Sequence, residues 1–146
     1  MDLDKAREFI RGHHQAVMAT RRKDGSPQLS PVTCGVDGEG QVVVSTRETA
    51  MKVKNLQRDP AVSLCVVSDG FYGDWVQVDG RATVVSLPDA MDGLVEYYRS
   101  ISGEHPDWDE YRQAMIAQGK AVMRLTIDSW GPIATGGFPA RLAEPG

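Results

Sequence analysis

QVVVSTRETAMKVKNLQRDPAVSLCVV, residues 41–67, changes its hydrophobic period twice. The run QVVVST reads as a strand. From Glu48 to Arg58 the residues Met51, Lys52, Val53, Asn55 and Leu56 fall at helical spacing, and Asp59-Pro60 ends that helix. AVSLCVVS then returns to strand, with Ala61/Ser63/Cys65/Val67 on one face and Val62/Leu64/Val66 on the other. Both faces are largely apolar, so this strand asks for cover on two sides.

Working outward, the N-terminal side supplies QAVMATR, a polar turn RKDGS, the strand PQLSPVTCGV and a second turn DGEG. Connections this short join antiparallel neighbours. Leu3, Ala6, Phe9 and Ile10 before them predict a short helix, with Asp2 as cap and Gly12 as stop, that would act as a lid. On the C-terminal side come an aromatic turn, DGFYGD, and the strand WVQVDGRATVVS. Pro88-Asp89 opens a helix carrying Met91, Leu94, Val95 and Tyr98, and Pro106-Asp107 opens another carrying Trp108, Tyr111 and Met115 as far as Gly119. VMRLTID is a last strand, and residues 129–146, rich in Gly and Pro, read as a tail that wraps a surface. Six short strands with interspersed helices predict a mainly β fold, a closed six-stranded antiparallel barrel with helical decoration.

The chain has 146 residues, 41% apolar and 25% charged, a size and composition that predict a single domain over 1–146. The formal charge of −4 with no basic face argues against nucleic-acid binding. Cys34 and Cys65 each lie in an apolar run and read as buried thiols of a reducing compartment. An acidic start leading into an amphipathic helix is not a signal peptide, and no apolar run reaches membrane-spanning length, so a cytoplasmic protein is expected.

Several chemistries find no support: there is no P-loop or dinucleotide glycine pattern, no Gly-x-Ser-x-Gly and no Cys/His set at zinc spacing. His13, His14 and His105 read as solvated loop residues, and the acids at Glu104, Asp107, Asp109 and Glu110 read as helix-start charges favoured by the macrodipole. Trp108 and Tyr111 read as core or interface. The suggestive place is the strand-to-helix junction after QVVVST. Ser45 and Thr46 bring hydroxyls, the helix start brings unpaired N–H groups, and Lys52 brings a cation, which together make a phosphate cradle. Arg47 and Lys54 add positive charge, but Lys52 and Lys54 stand about 200° apart on a helix and cannot grip one phosphate from the same face. Upstream, Gln28, Ser30 and Val32 share one strand face, and Pro31, which cannot donate to a ladder, marks a spot where a ring can approach.

Taken in order, ATRRKDGSPQLSPV at 19–32, STRETAMKVKNLQRDPAVSLCV at 45–66 and VQVDGRATV at 76–84 resemble the pyridoxamine 5′-phosphate oxidase-like split-barrel superfamily. With SGEHPDWDEYRQAM at 102–115, the chain is most similar to the actinobacterial flavin/deazaflavin oxidoreductases that use coenzyme F420. The resemblance implies a homodimer with cofactor sites between the subunits. It places Gln28, Ser30, Pro31 and Val32 along the cofactor ring, Ser45 and Thr46 near ring and side chain, and Lys52 at the phosphate with Ala50, Met51 and Asn55 assisting. Trp75 and Val76 would come from the partner subunit, and Arg21, Arg22 and Lys23 would face an acidic tail of the cofactor. Related proteins of that superfamily often carry a basic residue where this chain has Ala50.

The activity implied is hydride transfer from reduced F420 to a small organic acceptor such as an unsaturated carbonyl or quinone, with position and electrostatics supplied by the protein. No catalytic side chain is assigned. An FMN enzyme of the pyridoxamine phosphate oxidase kind is one alternative, although Arg141 alone is available in the C-terminal stretch for a second substrate phosphate. A carrier that holds flavin or deazaflavin without turnover is another.

Overall fold

The computed structural model describes residues 2–135. In chain order the elements are α1 (Leu3–Gly12), β1 (Gln15–Arg21), β2 (Pro27–Val36), β3 (Val42–Arg47), α2 (Met51–Arg58), β4 (Ala61–Val67), β5 (Asp74–Ser86), α3 (Met91–Ser102), α4 (Trp108–Gln118) and β6 (Lys120–Thr135). The strands close into an antiparallel barrel in the order β1-β2-β3-β6-β5-β4, as the alternation of strand and turn signals predicts.

Inward-facing residues follow the period of two. Met18 on β1, Val42 and Val44 on β3, Val62, Leu64 and Val66 on β4, and Val76 and Val78 on β5 are all buried in one core. The opposite row of β4, Ala61/Ser63/Cys65/Val67, is half-exposed, so only one face of that strand is covered within the chain. Cys65 is therefore half-buried rather than buried, while Cys34 is fully buried and its thiol is pushed up to about 12 by that burial.

The first helix begins as read, with the Asp2 carboxylate accepting from the Lys5 N–H at 2.9 Å. It is not a lid. Ala6 and Ile10 are fully buried in the barrel core and α1 packs on β2, β5 and β6, so the helix plugs the barrel instead of covering a cleft. The last strand also departs from expectation, because β6 continues past Asp128 to Thr135. Its C-terminal part pairs with Asp74–Asp79 of β5 across two register shifts, and the ladder overrides the breaker signal of Gly131 and Pro132. Only residues 136–146 of the expected tail lie outside the described residues.

The third helix lies on β2, β3 and β6, and α4 lies on α3 and β6. A second core of Ala90, Leu94, Val95, Tyr111, Met115 and Val122 joins them. The Tyr111 hydroxyl donates to the Leu94 carbonyl at 2.7 Å, which ties α4 to α3. Among the described residues no helix is long and apolar enough to cross a membrane.

Candidate functional site

The ladder between β2 and β3 is short: Cys34, Gly35 and Val36 pair with Val44, Val43 and Val42. The same register would next join Thr33 to Ser45, but the strands part there. The Tyr97 hydroxyl, reaching over from α3, occupies the gap. It donates to the Thr33 carbonyl at 3.2 Å, and the Tyr97 oxygen accepts from the Ser45 backbone N–H. Burial raises the Tyr97 phenol above its ordinary range, so it stays protonated and keeps the two strands bridged but apart.

The second helix starts beside this opening. Ala50 is its cap and offers no side-chain acceptor, and the N–H groups of Met51 and Lys52, at the first two helical positions, have no intrahelical partner. Lys52 is half-buried and lines the opening, whereas Lys54 is exposed on another face, as helix geometry requires. A third cation arrives from far along the sequence. Gly119 ends α4 in the left-handed conformation at φ 62°, its carbonyl accepts from the Glu48 N–H at 2.8 Å, and the chain then enters β6 with Lys120 opposite Arg47. Partial burial, then repulsion from Arg47 and Lys52, lowers the Lys120 ammonium below the ordinary lysine range. A lysine repelled by two neighbouring cations, beside two N–H groups without an intrahelical partner, fits a bound anion.

Lys52 and Lys120 line a cleft of about 890 Å³, and Arg47 pairs with Lys120 beside it. Val17, Pro31, Val32 and Phe71 give it apolar surface, and Tyr97, Tyr98, Tyr111 and Met115 form its helical wall. The aromatic wall is rigidly packed: the Tyr98 ring lies 5.0 Å from His105, 5.8 Å from Trp108 and 5.1 Å from Tyr111. His105 is thus half-buried among rings, with its Nδ1 accepting from the Asp107 N–H at 2.9 Å, and is not a solvated loop residue. His13 and His14 are half-buried as well, each with Nδ1 at 2.9 Å from a backbone carbonyl oxygen, of Phe9 and Cys34 respectively. No group of three or more His, Cys, Asp or Glu among the described residues is arranged to hold a metal.

Of the residues singled out in the sequence, Pro31, Val32, Ser45 and Lys52 line the cleft together. Gln28 and Asn55 meet under α2 instead. The buried Asn55 amide donates to Gln28 Oε1 at 2.8 Å and Thr20 Oγ1 at 3.1 Å, and Asn55 Oδ1 accepts from Arg58 at 3.2 Å. Ser30 is on the same inward row as Gln28 and Val32. Thr46 and Val76 are buried, at 4% and 0% exposure, and neither lines the cleft. Ala50 and the exposed Met51 flank the helix start, and the half-buried Trp75 pairs with Val67 of the cleft rim. Arg21, Arg22 and Lys23 border a separate recess of about 460 Å³ with Arg58 and Asp59. Lys120 and Tyr97 escaped the sequence reading, and Tyr98 was read there only as an apolar position of its helix. The signal for Lys120 was the glycine before it, which turns α4 into the strand beside β3.

Because the Asn55 amide holds three elements, Asn55→Ala strands the Thr20 hydroxyl and the Gln28 carbonyl. A loss of about 1–3 kcal/mol is expected in urea unfolding.

Solved structures of the same fold include a conserved hypothetical protein from Mycobacterium tuberculosis, at 21% identity and TM-score 0.73 over 94% of this chain and 93% of that one. A protein titled F420 reductase matches at 19% identity and TM-score 0.63, over 85% of this chain and 94% of that one. The heme storage protein HutZ of Vibrio cholerae matches at 20% identity and TM-score 0.64, over 93% of this chain and 98% of that one. At these identities the likeness is one of fold. Residues 3–134, from the first helix to the end of the last strand, match the family described as Pyridoxamine 5′-phosphate oxidase, and the chain belongs to that family.

Proposed function

We propose that this chain is an oxidoreductase that holds coenzyme F420 in the cleft at the barrel opening and reduces a small uncharged acceptor beside it. The observation that carries this reading is the pair of cations Lys52 and Lys120, with Arg47 close to Lys120, in a largely apolar and aromatic cleft. A phosphate-bearing ring cofactor has that polarity. The F420 reductase among the similar folds favours the deazaflavin over FMN.

In this reading Lys52, Lys120 and the N–H groups of Met51 and Lys52 neutralise the phosphate, and Arg47 adds charge from the exposed side. Val17, Pro31 and Val32 give the ring an apolar bed and exclude water from it. Tyr97 keeps the strands apart so that the bed is accessible. When bound, F420 supplies a carbon that gives or takes a hydride, so the protein needs no nucleophile.

Two subunits complete the site. Val17 at 41% exposure, Leu29 at 65%, Phe71 at 77% and Tyr72 at 66% leave large apolar surface in water. Val17 and Phe71 belong both to this surface and to the cleft, so a second copy seated there would close the cleft from outside.

The test is a set of fluorescence and absorbance titrations with F420, FMN and hemin. Saturable F420 binding with one site per chain is expected, with FMN weaker. Binding of FMN or hemin without F420 would overturn the assignment. Steady turnover with reduced F420 and a quinone separates an enzyme from a carrier.

A further inference from the structure

Three tyrosines bound the cleft, and two of them have hydroxyls committed to the backbone: Tyr97 donates to Thr33 and Tyr111 to Leu94. The third is different. Tyr98 bounds the same cleft and its ring is caged by His105, Trp108 and Tyr111, yet its hydroxyl makes no hydrogen bond to any described residue. The cage is itself braced: Trp108 Nε1 donates to Glu104 at 3.0 Å, and the Arg99 guanidinium lies 4.8 Å from the Trp108 ring centre and 2.9 Å from Glu104. A phenol fixed in direction, half-buried and unspent is a donor awaiting an acceptor.

We propose that Tyr98 is the hydrogen-bond and proton donor to the carbonyl oxygen of the second substrate, a neutral, flat, conjugated carbonyl compound. The conjugated carbonyl is the acceptor of the hydride-transfer reading, and the walls are compatible with it. No acidic side chain bounds the cleft among the described residues, so nothing there pairs with a cation, and the lysines that would draw an anion are engaged by the cofactor phosphate. Beside the polar Gln15, Thr33, Ser45 and Gln118, the cleft offers aromatic rings, aliphatic side chains and Met115, against which a flat conjugated molecule can pack.

The inference rests on the hydride-transfer reading above and deepens it. With an enone, hydride from the reduced cofactor forms a C–H bond at the β-carbon, and the electron pair of the C=C bond passes to the carbonyl oxygen. The Tyr98 O–H bond breaks as its proton goes to that oxygen. The enol then becomes the saturated ketone in water, and water reprotonates the Tyr98 phenolate.

Two measurements on the full chain separate this assignment from the cofactor assignment. The first needs no cofactor: p-dimethylaminobenzaldehyde, whose absorption moves to the red when its carbonyl accepts a hydrogen bond, is titrated into wild type and Tyr98→Phe. A red shift in wild type that is absent in the variant is expected. The second uses reduced F420 with cyclohex-2-en-1-one, where Tyr98→Phe should lower kcat roughly a hundredfold or more and leave the F420 Kd within about twofold. Phenylalanine keeps the caged ring, and an unchanged thermal melt confirms the fold. A variant that retains both the red shift and kcat overturns the role of Tyr98 while the cofactor reading stands. If wild type binds no F420, the cofactor reading fails and the aldehyde shift alone decides Tyr98.

Discussion

Gly80→Ala is expected to destabilise the barrel by roughly 3 kcal/mol or more, toward the upper end for overpacking a core. Gly80 sits where β5 shifts register against β6, next to the irregularity at Asp79. A Cβ there would collide with the Thr126 carbonyl oxygen and would lie 2.9 Å from its carbonyl carbon and 3.3 Å from the Ile127 Cα. All three obstacles are backbone, so no side chain can swing aside. The only relief is to separate β5 from β6, and β6 is also the strand that closes the barrel through β3. Denaturant unfolding should show a large drop in midpoint, whereas Gly12→Ala, with nothing within 4 Å of the added carbon, should change it little. A wild-type midpoint for Gly80→Ala would mean that the two strands can part at the bulge without loss.

Gly80 also illustrates what a sequence does and does not disclose. A glycine inside a strand pattern signals a bulge or a close backbone approach, but which strand approaches is a matter of pairing, and pairing is non-local. The elements themselves were legible because their signals are local. Residues 41–67 show their two changes of period, Asp2 and Asp107 cap their helices through the Lys5 and Glu110 N–H groups, and Gly119 stops α4. Where local signals compete with tertiary pairing, pairing prevails. Gly131 and Pro132 read as tail, yet β5 holds that segment in register to Thr135. The apolar stripe of α1 is equally consistent with a lid and with a plug, and only the burial of Ala6 and Ile10 decides it.

The same division runs through the site. Ser45, Lys52, Pro31 and Val32 were legible because a strand end and a helix start adjoin in sequence, and because proline breaks a ladder. Gln28 and Asn55 were found without their relation, the hydrogen bond that joins them under α2. Tyr97 could not be found, since its role exists only where β2 and β3 part. Tyr98 looked like one more apolar position of a helix stripe, and its unpartnered hydroxyl is a property of the packed cage.

Lys120 belongs to this second group and carries the other large prediction. Lys52→Ala should weaken binding of the phosphate-bearing cofactor by roughly 1.5–3 kcal/mol, about tenfold to a hundredfold or more, if Lys52 pairs with the phosphate. Lys120→Ala should weaken it too, and should also change its pH dependence. Without ligand, burial and the charges of Arg47 and Lys52 hold the Lys120 ammonium below the ordinary lysine range. A bound anion favours the protonated form, so the lysine is raised in the complex and binding takes up a proton where the free lysine has begun to lose its own. Affinity is therefore full below the free-state value and declines as pH rises through it, earlier than an unperturbed lysine would produce. Lys120→Ala should remove that alkaline decline while lowering affinity at neutral pH. Isothermal titration between neutral and alkaline pH, in buffers of differing ionisation enthalpy, reads the affinity and the proton uptake together. An unaltered alkaline profile in Lys120→Ala, or an unaltered Kd in Lys52→Ala, would mean that the anion is held elsewhere on the molecule.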